Sequence, residues 1–114
     1  MAKSMFMAWA SPVDDASDTE FNAWYDGTHV PQVRAAIPAI TAVYRYRVAD
    51  VPGVGASSAH RYVAVYEMDT DDVPAAMAAL GAASADGRID MTATMDVTAN
   101  PPVLQWYQAI NPAG

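Results

Sequence analysis

His29 is the residue in this 114-residue chain whose type and surroundings best suit proton chemistry. It follows Tyr25 by four positions and Asp26 by three, a spacing that lets side chains on neighbouring helical turns meet. A carboxylate on one imidazole nitrogen fixes the tautomer and strengthens the other nitrogen as a base. The alternative is a structural histidine that hydrogen-bonds a backbone carbonyl and closes a broken helix. His60 is the second imidazole. It heads a strand face shared with Tyr62 and Tyr66, which Tyr44 and Tyr46 could join across a sheet. Such a group presents hydroxyls and one imidazole above an aromatic floor, although alternating tyrosines are also ordinary strand composition. Arg45, Arg47 and Arg61 are half of the basic residues. They could clamp a carboxylate or phenolate, or pair with acids such as Glu67 and cross an interface. Trp24 and Tyr25 read as core or pocket wall. Met5, Met7, Met68 and Met77 read as adaptable packing that also suits an apolar ligand.

These residues need elements to position them. Residues 3–10 read as a strand ending at Ser11-Pro12. Ser17 with Glu20 three residues on matches a capping box, and Phe21, Trp24, Tyr25 and Thr28 follow at helical spacing. Gly27 and Pro31 predict a break near 27–30 and a short second helix to Ile37. Residues 39–49 read as a strand with Ile40, Ala42, Tyr44, Tyr46 and Val48 on one face and Thr41, Val43, Arg45 and Arg47 on the other. Asp50–Ser58, with Pro52, Gly53 and Gly55, reads as a loop, and 59–68 as a strand. Asp69–Asp72 introduces a helix over 73–83 with Pro74 in its first turn. Residues 84–96 read as irregular and mobile, and 103–110 as a closing strand. The order is β–α–β–β–α–β, a ferredoxin-like split βαβ unit in one domain spanning 1–114. Both helices then cover one sheet face. The other face, with Trp9, Val43, Val63, Val65 and one of Trp106 and Tyr107, is left apolar and invites self-association.

Composition narrows the function classes. Thirteen acidic against six basic residues give a net charge of −7, which disfavours nucleic acid and anionic membranes as partners. The chain has no cysteine, excluding disulfides, thiol nucleophiles and sulfur-built zinc sites, and its two histidines make a histidine-rich metal centre a poor expectation. No apolar run reaches the roughly 18–20 residues of a membrane span, so a soluble, cytoplasmic protein is expected. Alanine supplies 24 residues and the larger apolar and aromatic types 36, with only two leucines, so the core leans on Val, Met and aromatic rings. No phosphate loop or nucleophile elbow is present: Gly53-x-Gly55 lacks a strand-to-helix context, and Ser57 and Ser58 fall in a loop.

Phe21–Pro38 (FNAWYDGTHVPQVRAAIP) and Ala42–Arg47 (AVYRYR) carry a recognisable pattern. It consists of F-x-x-W-Y on a helix, H-x-P shortly after, then a strand rich in Arg and Tyr. With Tyr62–Glu67 (YVAVYE) it resembles the dimeric α/β-barrel superfamily, and its EthD-like branch most of all. The resemblance implies a ferredoxin-like protomer in a homodimer whose sheets pack face to face, with a pocket between sheet and helices in each protomer. It also implies one of the superfamily's cofactor-free activities on apolar aromatic or polyketide-like carbonyl compounds: cyclase, isomerase, decarboxylase or monooxygenase. In that setting His29, oriented by Asp26, or His60 is the expected base. A tyrosine such as Tyr44 would steady the enolate, while Trp24, Tyr25, Tyr46, Tyr62, Tyr66 and Arg45 would bind substrate. No cofactor or metal is expected, haem included, since the haem branches are much longer two-module chains. The other reading is a non-catalytic binding or accessory protein of the EthD kind.

Overall fold

The fold is described from a computed structural model covering residues 3–49 and 60–111. The loop read over Asp50–Ser58 lies outside these residues. Four strands, β1 (Ser4–Ala10), β2 (Ile40–Arg47), β3 (Tyr62–Met68) and β4 (Val103–Gln108), form one antiparallel sheet in the order β2-β3-β1-β4. With the two helical stretches between them this is the β–α–β–β–α–β order expected. Alternation along β1 buries Ser4, Phe6, Ala8 and Ala10 and leaves Met5, Met7 and Trp9 on the outer face, as the two-residue period of a strand requires.

The first helical stretch is built differently from its sequence signals. Asp14, not Ser17, supplies the cap: its carboxylate accepts from the Ser17 N–H at 2.9 Å and opens a 3₁₀ turn over Asp15–Ser17. Ser17 makes no side-chain cap for the helix α1 (Asp18–Trp24) that follows, so the capping box does not form. The break expected near 27–30 is a π-helical turn, Tyr25–His29, leading into α2 (Val30–Ala36). Pro31 has no N–H to offer the fourth carbonyl back, and one wide turn absorbs that loss without breaking the helix. The Val30 N–H reaches Tyr25 O, and the dihedrals stay right-handed helical from Trp24 to Val30.

The second helix, α3 (Val73–Ala85), starts on Asp72, whose carboxylate accepts from Ala75 N–H at 3.1 Å. Asp72→Ala removes that bond and is expected to lower the unfolding free energy by about 1 kcal/mol, read from urea denaturation; Asp72→Ser should retain most of the stability.

A β-bulge corrects the reading of β2. Ile40 pairs with Met68, but Ala42 pairs with Glu67, so the strand carries one extra residue at Thr41. Every side chain beyond it changes face. Val43, Arg45 and Arg47 therefore sit on the helix side, opposite Tyr66, Ala64 and Tyr62. Tyr44 and Tyr46, expected to join those tyrosines, stand on the outer face beside Val65 and Val63, at 47% and 55% exposure. In β4, Trp106 turns inward against Phe6 and Tyr107 outward.

The core lies between sheet and helices. Phe6, Phe21, Val33 and Tyr66 are its largest fully buried side chains, and Phe6 stacks on both Tyr66 and Trp106 with centroids 4.3 Å apart. The segment after α3, expected to be mobile, is tied down. Val13 N–H bonds Thr94 O at 2.7 Å, Asp96 N–H bonds Ser11 O at 2.9 Å, and Gln32 bonds both the backbone and the carboxylate of Asp90. This strap closes the helix side of the fold.

Candidate ligand cavity

A cavity of about 210 Å³ lies under the strap, between the sheet and the helical stretches. Phe6 and Tyr66 rise into it from the sheet. Trp24, Tyr25 and His29 come from α1 and the π turn, and Ile89 and Met95 from the strap. Apart from Ser84, Asp90 and Thr92 near the strap, the walls are almost wholly apolar or aromatic.

The π turn is what points His29 at this space. With the bond running from residue 30 to 25, residue 29 comes to lie over residue 24. The imidazole stacks on the Trp24 ring at 4.7 Å and 24°, and meets Tyr25 edge-on at 4.8 Å. Its Nδ1 is buried without a hydrogen-bond partner, and so is the Tyr66 hydroxyl. The Tyr25 and Tyr66 phenols are neighbours, yet Tyr66 completes no hydrogen bond in this geometry. Burial, reinforced by the Arg45 charge, lowers the His29 pKa to about 4, so the ring is neutral near pH 7. Burial drives the Tyr66 and Tyr25 phenols the other way, well above the usual tyrosine range.

Asp26 is not the orienting partner of His29. Its carboxylate takes Arg45 Nη1 at 3.1 Å and stays 67% exposed. The bulge in β2 causes this, because it turns Arg45 inward beneath α1. There the guanidinium also donates to Asn22 Oδ1 at 2.9 Å and lies 4.3 Å from the centre of the Tyr25 ring. His60 is absent from the cavity too. It precedes β3, and its Nε2 lies 2.9 Å from Pro101 O, linking the start of β3 to the approach to β4. Tyr62 is buried but committed elsewhere: its hydroxyl donates to Asp18 at 2.6 Å and accepts from Asn22 at 3.1 Å. That bond, followed by Arg61, holds the Asp18 carboxyl below its usual pKa. Arg61 pairs with Asp15 and Asp18, and Arg47 lies over the Tyr62 ring at 5.8 Å.

Of the residues singled out by sequence, the cavity thus gathers Trp24, Tyr25, His29 and Tyr66. It leaves out Asp26, Tyr44, Arg45, Tyr46, His60 and Tyr62. Phe6, Ile89, Met95 and Asp90 are among the wall residues missed. The strap has neither helical nor strand periodicity, and its only sequence signal is a set of large apolar residues, Ile89, Met91 and Met95, in otherwise polar surroundings. Among the described residues no three His, Asp or Glu side chains converge as metal ligands, and no helix is long and apolar enough to cross a membrane.

Comparison with solved structures finds the same fold. An EthD-like protein from Ralstonia eutropha JMP134 is similar over 99% of this chain and 97% of its own, at 17% identity and a TM-score of 0.60. An EthD (ethyl tert-butyl ether D) family protein from Bacillus halodurans C-125 is similar over 93% and 96%, at 18% identity and a TM-score of 0.53. A dimeric ferredoxin-like protein from an uncultured marine organism is similar over 99% and 100%, at 14% identity and a TM-score of 0.56. No protein-family model matches the sequence, and no curated protein matches it.

Proposed function

We propose that this protein binds a small apolar aromatic carbonyl compound in the 210 Å³ cavity and moves a proton on it, with His29 as base and Tyr66 as hydrogen-bond donor to the developing enolate. One observation carries the reading: His29 and Tyr66, which line the largely apolar cavity, each hold a buried polar atom without a hydrogen-bond partner, Nδ1 and Oη. A buried polar group without a partner costs roughly 1–3 kcal/mol, a cost that a ligand group reaching either atom would reduce. His29 is neutral and free to accept a proton at any pH well above 4. An anion forming beside it raises its proton affinity during the step. The likeness in fold to EthD-like proteins agrees with a small-molecule role and does not choose the reaction.

The test is deuterium exchange. The methyl hydrogens of 4-hydroxyacetophenone should exchange in D₂O faster with the protein than without it, followed by proton NMR. His29→Ala should slow this by about 10²–10⁴-fold, and Tyr66→Phe should slow it with folding intact. Exchange that survives in the double variant eliminates the proposed base chemistry. Because Asp26 is engaged by Arg45 and no carboxylate backs the imidazole, the second reading is a binding protein without turnover. Saturable binding with no exchange would establish that one.

The outer sheet face supports a homodimer. Tyr44, Tyr46, Val103 and Tyr107 are each more than 40% exposed there, with half-buried Met7, Trp9, Val63 and Val65 among them. Dimeric ferredoxin-like proteins are among the structural neighbours. Val65→Glu puts a charge at the middle of that face and is expected to give a folded monomer by light scattering, where the parent chain runs as a dimer. A parent chain that is monomeric at micromolar concentration overturns this assembly.

A further inference from the structure

Within its four strands, the outer face of the sheet carries one charged side chain, Glu67 on β3. It is exposed and stands in register with Met5, the first outward residue of β1. Lys3 lies one position before β1, and strand alternation sends it to the same face as Met5. Both residues line an open groove of about 470 Å³ at this end of the sheet, with Thr41 and Tyr107 beside them. Asp69 also borders the groove, but it follows β3 at the end of the sheet and is exposed. Among the described residues neither Lys3 nor the Glu67 carboxylate has an ion-pair partner.

The homodimer reading above, on which this inference rests, lays a second copy of the same face over Glu67. A carboxylate withdrawn from water carries a large desolvation penalty unless a cation meets it. The chain has six basic residues. Arg45 and Arg47 face the helices, Arg61 and Arg88 are paired with aspartates, and Arg34 lies on α2. Lys3 is the basic residue that remains for the outer face, so the cation a second copy brings to Glu67 is the partner's Lys3.

Symmetry allows this contact. A two-fold axis lying between two facing sheets and parallel to their strands keeps like ends together and exchanges left for right. In the order β2-β3-β1-β4 the middle of the sheet falls between β3 and β1, so such an axis stacks β3 of one copy on β1 of the other. Glu67 then faces the end of β1 that Lys3 precedes, and the contact occurs twice in the dimer. Packed sheets stand about 10 Å apart, a gap that a lysine and a glutamate reaching toward each other span. An axis across the strands would instead set Glu67 against the opposite end of the second sheet.

We infer that Glu67 of each protomer pairs with the partner's Lys3, in a dimer whose two-fold axis runs along the strands between β1 and β3. The pair fixes the register of the two sheets and selects this axis over the crossed one.

Charge exchange is the test, with the dimer dissociation constant measured by sedimentation equilibrium. Lys3→Glu and Glu67→Lys should each raise that constant about 30-fold or more, because each sets two like-charged pairs in the interface. The two substitutions together should return it to within a few-fold of the parent value, a rescue that a general loss of contact surface would not produce. Both side chains are exposed, so the variants should keep the circular dichroism of the parent. Glu67→Gln should weaken the dimer less than Glu67→Lys does, without reversing any charge. A dimeric parent whose double variant is no tighter than the single ones overturns the pairing and its axis. The dimer reading then stands on Val65→Glu, which should still give a monomer. Tightening by Glu67→Gln also overturns the pairing, since it places an unpaired carboxylate in the interface. A monomeric parent overturns the dimer, and the pair with it.

Discussion

Phe6→Ala is expected to lower the unfolding free energy by about 3–5 kcal/mol. Phe6 is 1% exposed, on β1 at the middle of the sheet order, and its ring is clasped between Tyr66 on β3 and Trp106 on β4 at 4.3 Å from each. The area lost from burial is one part of the cost, and the loss of offset ring contacts adds about 0.5–1.5 kcal/mol per aromatic pair. The strands cannot close over the gap, because hydrogen-bonded ladders hold β1 on both sides. Phe6 also walls the ligand cavity, so the void left by alanine adjoins it and the two become one larger space. Urea denaturation followed by tryptophan fluorescence measures the loss. Phe6→Leu should lose clearly less, and saturating benzene should return part of the stability to Phe6→Ala by binding only the folded form. A loss below about 1 kcal/mol would mean that the three-ring stack does not organise the core.

The sequence carried the fold because its strong signals were local and mutually consistent. Alternation in Tyr62–Met68 fixed which side chains face the helices, and that strand has the expected faces. The same alternation failed in β2, where one extra residue at Thr41 reverses everything after it. No residue type announces that bulge, since Ile40, Thr41 and Ala42 would suit any strand position. Its consequence was large: it exchanged Tyr44 and Tyr46 for Val43, Arg45 and Arg47 on the inner face. Gly27 and Pro31 did mark the irregular turn at His29, but a missing donor is compatible with a kink, a break or a wide turn. The wide turn is the one that brings His29 onto Trp24. The Asp26–His29 pair was a sensible expectation from spacing. It gave way because a half-buried guanidinium beside an acid is a stronger claimant than a neutral ring. The strap was illegible because its hydrogen bonds join Asp90 to Gln32 and Thr94 to Val13, contacts between residues far apart in sequence.

His29 makes stability depend on pH between about 4 and 6.5. Its pKa is lowered from 6.5 to about 4 in the folded protein, by burial first and by Arg45 second. Between those values the unfolded chain binds a proton that the folded one refuses, so unfolding becomes easier as pH falls. The contribution is complete above pH 6.5 and is lost progressively as pH drops through about 4. Each pKa unit is worth about 1.4 kcal/mol, so the total is roughly 3 kcal/mol. Asp18 acts in the same direction but lower in pH, since its carboxyl is held below the usual value by the Tyr62 hydroxyl. The measurement is therefore a difference: urea midpoints of the parent and His29→Gln between pH 7 and pH 4, where the variant should show a flatter curve. With only two histidines in the chain, proton NMR can follow the ring directly, and His29→Gln identifies its resonance. The His29 signal should titrate near pH 4. A midpoint near 6.5 in the free protein would mean that the imidazole is solvated, and the cavity would then lose the neutral base on which its proposed chemistry depends.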